Sequence, residues 1–336
     1  MNFLKKILKK ISKIGKKKYL SCPLLEHAFM FDQNNCLRVC STVTETEGGR
    51  PLLKKDYNGE IINWKKIFAQ KRQHRNLHKA GKILDECKGC NFLREQEWDN
   101  KDYIDELLIT HWVDCNSNCV YCPVVNNEGL KRTTFHYNIV PALKDAISKN
   151  VIKKDALIEL AGGESTIHPE FEELISILLQ ANFTNIVVNT SGIKFSEKIE
   201  EGIKKGQIKV VCSVDSGKKE THETIKRKNS YESVWDTLTR YSTANLNLDR
   251  IDAVRTKYIV IPEINDNMEE FCAFLNKNKE AGVKAVAINL EIDWYQQNHE
   301  KDTTDLKTLL FKMEESALEE KMHCKIYPQA QWIMRK

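Results

Sequence analysis

The reading of this chain begins at Cys115-Asn116-Ser117-Asn118-Cys119-Val120-Tyr121-Cys122. Three thiols fall within eight residues in the spacing C-x3-C-x2-C. Thiols this close can converge on one metal centre without any long-range folding. A structural zinc takes four protein ligands, and so does an ordinary cysteine-held iron–sulfur cluster. The nearest other cysteines are Cys90 and Cys212, so no fourth thiolate is local. The simplest reading is a cluster with one iron left open to a small molecule.

The pattern of helices and strands around this stretch repeats. Candidate strands are 107–113, 156–160, 185–189, 209–214, 256–261 and 284–290, with helical patterns at 141–149, 171–181, 231–241 and 268–281. A βα unit takes roughly 30 residues, so residues 101–300 hold about six units rather than the eight of a full barrel. In parallel barrels the reacting groups gather at the C-terminal ends of strands. The cysteine stretch stands at such an end. So do Ala161-Gly162-Gly163-Glu164, Val188-Asn189-Thr190-Ser191-Gly192 and Cys212-Ser213-Val214-Asp215.

With these motifs in this order, the chain resembles the radical S-adenosylmethionine (SAM) superfamily. The resemblance rests on C-x3-C-x-aromatic-C with Tyr121 as the aromatic. It also rests on a Gly-Gly-Glu motif carrying Ser165 where the family usually has Pro, and on Thr190-Ser191-Gly192 and Ser213-x-Asp215 at the next two strand ends. It implies that Cys115, Cys119 and Cys122 hold a 4Fe–4S cluster whose open iron chelates SAM. One-electron cleavage of SAM then yields a 5′-deoxyadenosyl radical that takes a hydrogen atom from a substrate. It implies SAM contacts from Tyr121, Gly162, Gly163, Glu164, Thr190, Ser213 and Asp215, and an electron donor of the flavodoxin or ferredoxin kind.

Upstream, residues 19–100 contain Cys22, Cys36, Cys40, Cys87 and Cys90. Residues 28–32 and 36–40 read as a hairpin turning at Asn34-Asn35, 61–78 as an amphipathic helix, and Cys87-Lys88-Gly89-Cys90 as a metal knuckle. This segment resembles the SPASM or shorter twitch auxiliary-cluster module, placed before the barrel instead of after it. The resemblance implies an auxiliary 4Fe–4S cluster on Cys22, Cys40, Cys87 and Cys90, with Cys36 spare, that binds substrate or accepts a second electron. Four thiolates suit zinc equally well.

The expected fold is therefore α/β: a partial (β/α)6 TIM-like barrel preceded by a small cysteine-rich α+β module. The expected division is a leader at 1–18, the auxiliary module at 19–100, the barrel at 101–300, and a C-terminal helix and strand at 301–336 that close it.

Composition bounds the rest. At 336 residues the chain can bury a large core. Eleven cysteines without a secretory signal point to metal sites and a cytoplasmic protein. No apolar run reaches the roughly 18 residues of a membrane span. The leader holds eight lysines and no acid, and its Phe3, Leu4, Ile7, Leu8, Ile11 and Ile14 share a helical face. Such a helix can lie on the inner face of an anionic membrane or dock on its own domain. The chain's net +5 and the leader's +8 leave the remainder at −3, which argues against a nucleic-acid surface. Glu291, Asp293 and Tyr295 are candidate substrate contacts, and Asp266 and Asn267 candidate helix caps. Cys212 and Cys272 read as buried small hydrophobes, Cys324 as part of a last strand. The substrate is open between a peptide or protein and a sugar-type or other small molecule. The non-enzymatic alternative is a metal-stabilised adaptor at a membrane surface.

Overall fold

The computed structural model describes residues 18–40, 52–122, 125, 137–291, 303–327 and 334. The leader up to residue 17, together with Asp293 and Tyr295, lies outside the described residues.

Among the described residues the strands are β1 (Tyr19–Ser21), β2 (Ala28–Phe31), β3 (Cys36–Arg38), β4 (Leu52–Lys55), β5 (Arg94–Gln96), β6 (Ile104–Ile109), β7 (Ile152–Leu160), β8 (Ile186–Thr190), β9 (Ile208–Ser213), β10 (Val254–Val260), β11 (Ala285–Leu290) and β12 (His323–Ile326). The helices are α1 (Pro23–His27), α2 (Trp64–Lys79), α3 (Val140–Ser148), α4 (Phe171–Gln180), α5 (Glu197–Lys204), α6 (Lys219–Lys226), α7 (Tyr231–Ala244), α8 (Met268–Glu280) and α9 (Thr304–Glu319).

Ten strands form one sheet in the order β12-β11-β10-β9-β8-β7-β6-β2-β3-β4. The six strands β6 to β11 are parallel neighbours in sequence order, as the partial barrel requires. Two further parallel strands flank them: β12 on β11, and β2 on β6. The second of these is the finding that sequence did not give. The β2–β3 hairpin, with Asn35 in the left-handed region at its turn, belongs to the barrel's own sheet. The chain segments divide near residue 100, but the sheet runs across that division. The reason is burial. All four residues of β2 are buried and so have apolar surface to cover on both faces. A two-stranded hairpin standing alone cannot cover them.

Strand β6 begins at Ile104 and ends at Ile109, three to four residues ahead of the expected 107–113. Asp105 and Glu106 gave its start a polar look. His111 and Trp112 therefore lie beyond the strand, buried against His168. Cys212 is buried as expected, whereas Cys272 is exposed on α8. It falls on the solvent side of a helix whose core face is Phe271, Phe274 and Leu275. Asn267 caps that helix by accepting from Glu270 N at 3.0 Å.

The outer face of the sheet packs on the helices. On β10, Thr256 donates to Asn278 of α8 at 2.5 Å, and Tyr258 meets Phe271 and Phe274 edge-on or tilted. The alternate residues Arg255, Lys257 and Ile259 face the concave side. The cluster-bearing loop lies across that side.

Candidate active site

The cysteine loop follows β6 and is held by main-chain bonds to the end of α6. Asn118 N donates to Lys226 O at 3.1 Å, and Val120 N to Ile225 O at 2.9 Å. Val120 and Tyr121 pack on Ile225, Ile259 and Ile261 in a small apolar cluster apart from the main core. Cys115, Cys119 and Cys122 remain half-buried.

A buried polar network fixes this loop. Tyr121 donates from its hydroxyl to Asp215 Oδ2 at 2.7 Å and accepts from Lys226 Nζ at 2.8 Å. Lys226 also pairs with the same carboxylate oxygen of Asp215. The other oxygen, Oδ1, accepts from Ile259 N at 2.9 Å. Asp215 sits in the left-handed region with φ near 68°. Asn265 donates to its carbonyl at 2.8 Å and accepts from Ile261 N at 2.7 Å. Strands β9 and β10, helix α6 and the cysteine loop thus meet at one ion pair. Burial alone would lower the Lys226 pKa, but the Asp215 carboxylate and the Cys119 thiol more than offset it. Burial pushes the Cys119 thiol up, with Lys226 opposing. Burial also holds Tyr121 firmly protonated, with Asp215 adding to the effect.

The Gly-Gly-Glu turn lies against the stem of the loop. Gly163 N donates to Trp112 O and Glu164 N to Asp114 O, both at 2.8 Å. A Cβ on Gly163 would stand 2.1 Å from Asp114 O, and one on Gly162 2.5 Å from Trp112 O. Both glycines are therefore needed simply for two backbones to touch. Glu164 is buried, and its carboxylate is engaged by protein. Oε1 accepts from Thr166 N at 3.1 Å, Thr166 Oγ1 at 2.6 Å and Thr190 Oγ1 at 2.7 Å, while Oε2 accepts from Ser191 N. Ser191 Oγ reaches on to Asn116 Oδ1, inside the cysteine loop, at 3.2 Å.

These bonds engage three of the residues expected to contact SAM. Asp215 is wholly buried and committed to Lys226, Tyr121 and Ile259 N, so it supports the loop from beneath. Glu164 and Thr190 spend their side chains on each other and on the end of β8. Ser213 is half-buried on the concave face in register with Lys257. Sequence reading missed Lys226 and Asn265. A lysine ending a charged helix and an asparagine in a loop carry no periodic signal, and only burial reveals them.

The four thiols nominated for the auxiliary site also come together. Cys22, Cys40, Cys87 and Cys90 lie within electrostatic reach of one another. Cys36 stands apart and donates to Asn34 O at 3.3 Å. Three devices gather the four. Cys22 caps α1, accepting from Leu25 N. Strand β1 pairs antiparallel with β5. Helix α2, capped by Asn63, packs beside them. Burial pushes Cys22 up to about 11 and Cys87 up to about 12, with the neighbouring thiols adding to each. Binding a metal here releases those protons. Among the described residues no three His, Cys, Asp or Glu side chains converge on a point for a single ion. The donor chemistry of both cysteine sets, thiols alone at the edges of the barrel, fits iron–sulfur clusters.

The fold and the site define an α/β protein with a parallel partial barrel and a three-cysteine loop at its C-terminal mouth. Residues 109–275 match the Radical SAM superfamily, and the chain belongs to that superfamily. Membership implies a 4Fe–4S cluster and SAM. The chain is similar to GTP 3′,8-cyclase of Desulforamulus reducens, 28% identical over 193 residues, which cover 56% of this chain and 55% of that protein. It is equally similar to the GTP 3′,8-cyclase of Clostridium acetobutylicum, 28% identical over 62% of this chain and 63% of that one. The chain thus spans just over half the length of these relatives. Its fold matches Streptococcus suis SuiB bound to precursor peptide SuiA with a TM-score of 0.52 at 11% identity, over 92% of this chain and 72% of that one.

Proposed function

We propose that this chain is a radical SAM enzyme whose cluster is held by Cys115, Cys119 and Cys122. When bound, cluster and SAM supply one-electron cleavage of SAM and a carbon radical able to remove a substrate hydrogen atom. The protein's own residues position and enclose that chemistry. Tyr121, Asp215 and Lys226 clamp the loop from beneath. Glu164, Thr190 and Ser191 tie the second and third barrel strands to it. The apolar cluster of Ile225, Ile259 and Ile261 keeps water from its underside. Gly162 and Gly163 let this turn close against the stem of the cysteine loop, and Ser213 offers a hydroxyl on the concave face. The observation that carries this reading is the buried Tyr121–Asp215–Lys226 network, which has no purpose unless the loop it locks must be held rigid.

In this reading Cys22, Cys40, Cys87 and Cys90 hold an auxiliary cluster in a twitch-like module, and a flavodoxin or ferredoxin supplies the electron. The substrate is a peptide, as the module resemblance suggests, or a small molecule, for which the GTP of the cyclases' name sets one class. The lysine-rich leader rests on a membrane surface; no helix among the described residues is long and apolar enough to cross one. Anaerobic reconstitution followed by chromatography for 5′-deoxyadenosine and methionine after reduction tests the reading. Reductive SAM cleavage is expected, and its absence from protein carrying the cluster revives the adaptor.

A further inference from the structure

The concave face below the cysteine loop is not lined as a core. Cross-strand register builds two rows on it. Ser213, Lys257, Ala287 and Lys325 stand side by side on β9 to β12, with Val211, Arg255, Ala285 and His323 in the row beneath. Two alanines thus lie between basic side chains from both flanking strands. Ile259, one pleat above Lys257, packs with Tyr121 of the cysteine loop. Lys257 is therefore the first long side chain met on β10 below the loop.

The Lys257 ammonium has no hydrogen bond or ion pair among the described residues, although the residue's main-chain carbonyl accepts from Val214 N and Asp215 N. Two carboxylates are near enough to act on it, Asp215 and Glu159. The first is taken by Lys226 and Tyr121. The second accepts from Asn189 Nδ2 at 2.7 Å. The Lys257 ammonium instead lies 5.3 Å from the centre of the Tyr327 ring, which Lys325 approaches at 5.0 Å. Two ammonium groups share one ring, an arrangement that repels unless an anion lies with them. On the same face Arg255 Nε and Asn289 Oδ1 are buried without hydrogen-bond partners. Burial lowers the Lys257 pKa. An unpaired cation in a concave, partly dry site is costly, and function is the usual reason for keeping one.

We propose that this face binds an oxyanion group of the substrate, a phosphate or a carboxylate, with Lys257 at the centre and Arg255 and Lys325 beside it. The proposal names the substrate class for the site described above and rests on that reading for its placement beside the radical chemistry. Its cross-strand neighbours, Ser213 and Ala287, are small, so an anion has room to reach the Lys257 ammonium from the concave side.

Titration calorimetry on the anaerobic, cluster-loaded full chain tests this, with tripolyphosphate and citrate as probes. Wild type is expected to bind one of them, which identifies phosphate or carboxylate as the class. Lys257→Met should weaken that binding at least about tenfold, and Lys257→Arg should keep it within about threefold. Thermal melting of both variants confirms that they fold. Binding of neither probe, or equal binding by Lys257→Met, overturns the proposal. SAM cleavage by wild type is scored separately. If SAM is cleaved and no anion binds, only this inference falls. If SAM is not cleaved by cluster-loaded protein, the enzymatic reading falls whatever the calorimetry gives.

Discussion

Two regions of this molecule place a buried lysine beside a set of thiols, and the two lysines differ in state. At the cysteine loop, Lys226 faces Asp215 and is held charged. At the four-thiol module, Lys71 is wholly buried on α2, where its ammonium donates to Ala28 O at 2.6 Å and lies 4.0 Å from the centre of the Phe29 ring. Burial drives its pKa well below the ordinary lysine value, with Arg75 adding to the fall and Glu26 and the thiols of Cys22 and Cys40 opposing it. Glu26 spends itself on Ser21, Tyr19 and Arg75. One site is locked by a paired charge. The other is packed around an amine that burial drives towards its neutral form and that only carbonyls and a ring receive. A paired buried charge is sensitive to the loss of either member, whereas an unpaired one is not.

The metal content of the two regions is the sharpest way to break this comparison. Wild type reconstituted without oxygen is expected to carry about eight irons, and a Cys115/Cys119/Cys122→Ala variant about four and no SAM cleavage at all. A Cys87/Cys90→Ala variant should also fall to about four irons while still cleaving SAM. Zinc in place of iron at the second site, seen by elemental analysis, would make that module structural alone.

Next in size is the ion pair. Lys226→Met leaves Asp215 buried and uncompensated, and the loss of stability in urea unfolding should be about 3–5 kcal/mol. The double variant Lys226→Met/Asp215→Asn should recover part of it. Equal losses in the single and double variants would show that the pair does not act as a unit.

His222 gives a pH test of the same region. It is fully buried on α6, between Val214 O and Ser230 Oγ, and burial lowers its pKa to about 4, with Lys226 adding to the fall. The unfolded chain therefore binds this proton more readily. The stability that neutral His222 contributes is complete above the unfolded value near 6.5 and is lost as pH falls towards 4. Between pH 7 and 5 wild type should lose about 2 kcal/mol more than His222→Gln. Parallel urea midpoints for the two proteins would contradict this.

The smallest effect expected is at Lys71. Lys71→Met should change stability by less than about 1 kcal/mol, and a rise is as consistent as a fall. A loss as large as that of Lys226→Met would erase the distinction between the two sites.

Much of the fold was legible. The helices at 171–180, 231–244 and 268–280 begin where their apolar faces and caps begin. The six barrel strands fall within four residues of their patterns, because a strand with one face packed on helices keeps apolar residues at alternate positions. The spacing of Cys115, Cys119 and Cys122 places them on one loop whatever surrounds it. The four auxiliary thiols could be nominated only through resemblance, since nothing in the residues between Cys40 and Cys87 says that they meet.

By itself the sequence determined what short-range chemistry can determine: which segments are helices and strands, which thiols share a loop, and where glycine is obligatory. Tertiary structure alone decided that β2 joins the barrel sheet, that Asp215 faces Lys226, and that the Lys257 ammonium faces the concave side without a hydrogen bond or ion pair among the described residues. Each of these joins residues from separate elements. Their energies come from burial and from charges leaving water, and neither quantity exists until the chain has folded.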